Sequence, residues 1–187
     1  NFSISLFRSY PILGENNKDF TAKIRAEFRT PSIPVEVEEG GKEYFVFQED
    51  EKKIIGDINL ENKLVYQDPN FTSQGPFPLQ PNQPTTLVWH LKIKSIAEDF
   101  DNLTIKTRLP IGVNFTGKVG GDAILDNLKY DPKTGAFIYQ INKLPANLGY
   151  TQKELDLAFQ ILVELPANTD PQSFIIIPQV EYSATGS

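Results

Sequence analysis

The chain has 187 residues, with 18 Lys and Arg against 24 Asp and Glu and a formal net charge of −6. Such an acidic balance repels phosphate backbones, so nucleic acid is not expected as a partner. Cys and Met are absent and His occurs once, which excludes thiolate nucleophiles, thiolate metal sites, disulfides and paired-His metal motifs. No apolar run approaches the roughly 20 residues that cross a bilayer as a helix. A chain that opens at Asn1 with neither signal peptide nor initiator Met reads as processed or as cut from something longer.

In chain order, Phe2, Ile4 and Leu6 alternate, and after a loop at Pro11–Gly14 so do Phe20, Ala22, Ile24, Ala26 and Phe28. This pattern predicts a β-hairpin over residues 1–30. Residues 31–53 read as a linker, in which Pro31, Pro34, Gly40 and Gly41 interrupt the acids Glu36, Glu38 and Glu39 and a short strand forms over Tyr44–Phe47. Beyond it, period-two alternation bounded by Pro, Gly, Asn and Asp predicts strands near 54–66, 85–95, 103–109, 113–118, 135–141, 155–165 and 173–182. The clearest places Leu87, Trp89, Leu91 and Ile93 on one face and Val88, His90, Lys92 and Lys94 on the other. Leu103, Ile105 and Leu109 point inward with Lys106 and Arg108 outward, and Leu155–Leu165 alternates with Asp156, Gln160 and Glu164 outward. Only Tyr150–Leu157 has room for a helical turn. The expected fold is all-β, an immunoglobulin-like antiparallel β-sandwich of about seven strands over 54–187, built around Trp89, Leu91, Ile105, Phe159 and Ile161. A unit of this size buries a core without disulfides.

The two ends of the chain resemble each other. Phe159, Ile161 and Val163 line up with Phe2, Ile4 and Leu6, and Phe174, Ile176, Pro178, Val180 and Tyr182 with Phe20, Ala22, Ile24, Ala26 and Phe28. Recurrence of this kind signals a modular array, so residues 1–30 read as the last hairpin of a preceding sandwich. The competing reading is a chance match between two amphipathic hairpins. A lone hairpin is marginal in water, so this one is expected to be completed by something outside the sequence.

Several stretches then carry a resemblance: Gly75–Thr86 leading into Val88-Trp89-His90, Asp101–Ile105, Leu109–Val113 followed by Phe115–Val119, Tyr130–Gly135, and Ile141–Ala146 with Gly149. In this order and spacing the chain resembles the conserved-repeat, immunoglobulin-like domains of unknown function strung along large bacterial and archaeal surface proteins, nearest to those of reduced-genome candidate-phylum bacteria. Where such repeats often carry Trp before the Thr-Gly-Lys segment, this chain has Phe115. The resemblance implies a cell-surface structural or adhesive role, with no catalytic residues to carry over.

Few residues compete for chemistry. His90 is expected on a sheet surface or edge, with no catalytic role. Glu98, Asp99 and Asp101 form, with Asn102, an acidic loop of the kind Ca²⁺ takes as oxygen ligands, but the spacing matches no EF-hand pattern and Asx residues satisfy turn backbone on their own; no other cofactor is expected. Gly120, Gly121 and Asp122 read as a hairpin loop. Lys92, Lys94 and Lys106 face outward, which excludes a core isopeptide staple. Sequons occur at Asn1, Asn70, Asn102 and Asn114, of which Asn70, in a Pro-rich connector, and Asn102, in a loop, are the glycosylation candidates. Phe174, Ile175 and Ile177 belong to a run apolar on both faces, either a strand buried on both sides or an edge awaiting a neighbouring repeat or protomer.

The expected function is that of a non-enzymatic structural or adhesive module of an extended extracellular, cell-surface protein, as stalk, surface-layer or adhesin repeat, with connectors such as Gly75–Pro84 holding successive modules. The partners are neighbouring repeats, with no membrane span in the chain. Two other readings stand beside it. One is a filament subunit assembling by strand donation between protomers; the other is a carbohydrate-binding module using Phe71, Phe77 and Tyr150 on surface glycans.

Overall fold

In a computed structural model, residues 12–29, 45–177 and 179–186 are described. They form ten strands: β1 (Thr21–Arg29), β2 (Phe45–Lys53), β3 (Asp57–Val65), β4 (Thr85–Ile96), β5 (Phe100–Arg108), β6 (Val113–Gly121), β7 (Leu128–Asp131), β8 (Ala136–Leu144), β9 (Leu155–Val163) and β10 (Glu181–Gly186). One 3₁₀ turn, Leu125–Asn127, leads into β7. Every paired neighbour is antiparallel, and β3-β4-β9-β6 and β10-β5-β8-β7 make two four-stranded sheets.

The alternation seen in the sequence buries the space between these sheets. Trp89, Leu91, Ile105, Phe159 and Ile161, the expected core residues, are each 0% exposed. The Trp89 ring lies 5.1 Å from Phe137 and 5.3 Å from Phe159, and its Nε1 donates to Asn62 Oδ1 at 2.9 Å, so the polar edge of the indole is satisfied. Phe115 stands edge-on to Phe137 and Phe159 and so extends the aromatic cluster.

The strand order departs from the immunoglobulin one. Counted from β3, the sheets read 1-2-7-4 and 8-3-6-5, whereas a constant-type immunoglobulin sandwich reads 1-2-5-4 and 3-6-7. The difference arises because β9 inserts between β4 and β6, and because β7 adds an eighth strand. β7 was not predicted: its four residues are too short for alternation to show. The final strand is also displaced. Phe174–Ile177 is irregular, and the ladder forms over Glu181–Gly186, whose side chains are all exposed.

β1 pairs with β2 along its whole length, from Thr21 opposite Lys53 to Arg29 opposite Phe45. The second strand is therefore not a short piece of linker at Tyr44–Phe47 but a nine-residue strand. Its register sets Lys23 opposite Glu51 and Arg25 opposite Glu49, with ion pairs of 3.4 and 3.9 Å, so opposite charges across the ladder select it. The expected first strand at Phe2–Leu6 and the acids Glu36, Glu38 and Glu39 lie outside the described residues.

The sandwich has two unlike ends. β3 starts opposite Ile96 at the end of β4, and β10 finishes at Gly186 opposite Phe100 at the start of β5. The chain thus enters the sandwich, and reaches its last described residue, at one end, here called the near end. The loop Leu109–Gly112 and the turn Asp131–Gly135 mark the far end, about 30 Å away along nine-residue strands.

Candidate functional site

The near end is built by the turn Ala97-Glu98-Asp99 between β4 and β5, with Ala97 held at φ 75° and fully buried. Asn147, 0% exposed, braces it: Oδ1 accepts from the Ala97 amide at 3.2 Å, while Nδ2 donates to the Asn17 carbonyl at 2.7 Å. The segment preceding β1 docks here. The Asp19 amide donates to the Ala97 carbonyl at 2.8 Å, and Lys18 Nζ reaches Asp99 Oδ2 at 2.7 Å. Asp99 Oδ1 accepts from the Ala146 amide at 2.8 Å. Glu98, only 4% exposed, accepts from the Gly56 amide at 2.9 Å and meets Lys53 Nζ at 3.0 Å. Gly56 is required there, because a Cβ would stand 2.4 Å from the Ile96 carbonyl oxygen.

These contacts set the charge states. The Lys18 hydrogen bond holds the Asp99 carboxyl below the usual range, with burial acting in the opposite direction and the Ala146 amide reinforcing the pair. The same bond raises Lys18, and the hydrogen bond to Glu98 raises Lys53. The carboxylates considered for Ca²⁺ thus receive lysines and amides instead. Asp101 lies apart, in β5 opposite Lys143. Among the described residues no three acidic or His side chains converge as metal ligands.

A second cluster lies on the outer face of the β3-β4-β9-β6 sheet. The segment Tyr66–Pro84, which includes the expected connector Gly75–Pro84, folds back over its own sandwich as a strap. Thr86 and Gln74 hold its descending limb through an amide-to-carbonyl bond of 2.9 Å and an amide-to-hydroxyl bond of 2.7 Å. Gln160 Nε2 donates to the Thr72 carbonyl at 3.0 Å, so a residue placed outward by alternation is 2% exposed. Phe71, expected to be exposed, is half-buried over Gly120, where a Cβ would stand 2.8 Å from its ring. His90 does face outward, but the strap brings Asp68 to it. Its Nε2 is 3.1 Å from Asp68 Oδ2 and its Nδ1 is 2.9 Å from Asp156 Oδ1. Two carboxylates around His90 were not foreseen; they stand 22 and 66 residues away in the chain, and nothing local in the sequence joins them.

The remaining candidates separate. Asn70 is exposed on the strap. Asn102 is exposed too, but within β5, where φ 54° marks a bulge against β10, and not in a loop. Phe174 and Ile177 pack in part against the core while Ile175 is 68% exposed, so this run is neither a strand buried on both sides nor an intact edge strand. Lys92 and Lys94 face outward as expected, both on Glu154, whose carboxyl Lys92 holds below the usual range. Gly120 and Gly121 belong to the end of β6, and Asp122 closes onto Asp156. Among the described residues no helix is long and apolar enough to cross a membrane. Compared with known proteins, the chain matches no protein-family model and no curated protein.

Proposed function

We propose that this chain is a non-enzymatic structural or adhesive module of an extended extracellular protein, working beside neighbouring repeats at the cell surface. The observation that carries the reading is the near-end junction. Its bonds from Asn17, Lys18, Asp19 and Lys53 to the sandwich hold the β1–β2 hairpin in a set direction, which a module must do to position its neighbours. His90, the lone histidine, has both ring nitrogens on carboxylates of its own fold, where it ties the strap to the sheet.

The test is ¹⁵N relaxation of the whole chain. The reading expects residues of β1 and β2 to share one rotational correlation time with the sandwich strands; a distinctly shorter time for the hairpin contradicts it. A second reading, strand donation into a neighbouring protomer, is favoured by Ile24, which is 41% exposed on the two-stranded sheet. It predicts concentration-dependent assembly in sedimentation, abolished when residues 1–30 are removed.

A further inference from the structure

The far end of the sandwich carries a groove of about 970 Å³, lined by Lys106, Arg108 and Lys133 together with Ile111, Gln179 and one carboxylate, Glu181. Lys106 and Arg108 leave the same face of β5, about 7 Å apart by strand geometry. Lys133 is held by its turn: Asp131 accepts from the Lys133 amide at 3.0 Å and from Thr134 Oγ1 at 2.7 Å, bonds that fix the turn and keep the Asp131 carboxylate charged two residues from Lys133. Among the described residues none of the three cations forms an ion pair, as is also so of Lys63, Lys118, Lys129 and Lys153; Glu181 stands opposite Lys106 in the β5–β10 ladder. The groove thus sets three cations against one lining carboxylate, at the far end of a chain of net charge −6.

We propose that this groove binds an acidic polysaccharide, an extended chain of carboxylate- or sulfate-bearing sugars. This inference rests on the adhesive reading and names its ligand class. The cations supply attraction and orientation for anionic groups. The Gln179 side chain is a donor and acceptor suited to hydroxyls, and Ile111, 91% exposed, offers an apolar contact to a sugar ring. Among the described residues no aromatic ring lines the groove, so charge is expected to carry the affinity rather than stacking on neutral sugars or nucleobases.

Titration of the whole chain with polygalacturonate, heparin, neutral dextran and poly-glutamate, at low and raised salt, tests the proposal. At least one acidic polysaccharide binds, more weakly as salt rises. The K106Q/R108Q/K133Q variant loses about tenfold or more of that affinity. A K63Q/K118Q/K153Q variant, with equal charge removed elsewhere, keeps it. Preference for polygalacturonate or for heparin tells carboxylated from sulfated ligands. The proposal is overturned by no binding to either acidic polysaccharide, by equal binding of dextran, by equal binding of poly-glutamate, or by an equal loss in the control variant. The relaxation measurement does not depend on any ligand, so failure of the groove and failure of the module reading are told apart.

Discussion

The Lys18–Asp99 pair gives the near end a working range of pH. Lys18 holds the Asp99 carboxyl below its ordinary value, so this contribution is full above about pH 4 and is lost as the pH falls through the lowered value. Asp99 raises Lys18, so that contribution is full below about pH 10 and is lost as the pH rises through the raised value. The docked hairpin is therefore predicted to be held most firmly between these limits. The amide shift of Ala146, which donates to Asp99 Oδ1, should move at the acid limit when followed by NMR against pH, and Asp99→Asn should remove that change while leaving the core signals in place. In the core, Trp89→Ala is expected to cost about 3–5 kcal/mol in urea unfolding, since the indole is fully buried among Phe137 and Phe159. At Gly120 the cost should depend on one neighbour. Gly120→Val displaces Phe71 and is expected to cost about 1–3 kcal/mol, most of which disappears in a Phe71→Ala background; costs that add without coupling would contradict the strap contact.

The elements differ in how far the sequence discloses them. β3, β4, β5, β6, β8 and β9 were legible because one face of each is apolar and the other polar, and a two-sheet core is what such faces require. β2 was not, because Gln48–Lys53 is a charged run whose partner is chosen by opposite charges on β1 and not by burial. Phe174–Ile177 misled in the other direction: it is apolar enough for a strand but caps the core without joining a ladder. The strap was hidden by its composition. Pro, Gly and Asn suit a connector and a covering loop alike, and the contacts that decide, Asp68 with His90 and Thr72 with Gln160, join distant positions. For the same reason Glu98 and Asp99 could be picked out as acids while their lysine and amide partners could not. His90→Ala should test the strap: with the ring gone, Asp68 and Asp156 lose a shared partner, at an expected cost of about 1–3 kcal/mol in urea unfolding and with faster exchange of the Thr86 amide. A change under about 0.5 kcal/mol would mean that His90 does not hold the strap.

At the scale of the whole molecule, the sandwich is asymmetric. The hairpin, the start of β3 and the end of β10 meet around Glu98 at the near end, while the cationic groove opens at the far end. The hairpin and the groove lie at opposite ends because β10 runs antiparallel to β5 and brings Gly186 back to the turn that receives Lys18 and Lys53. This arrangement depends on the docking at Ala97 being permanent on the timescale of folding. Native-state hydrogen exchange of the Asp19 amide, which donates across the junction to Ala97, measures this directly. Protection of that amide comparable to β4 and β5 is the predicted result; exchange at the rate of an unstructured peptide would show that the hairpin and the sandwich are not joined as described.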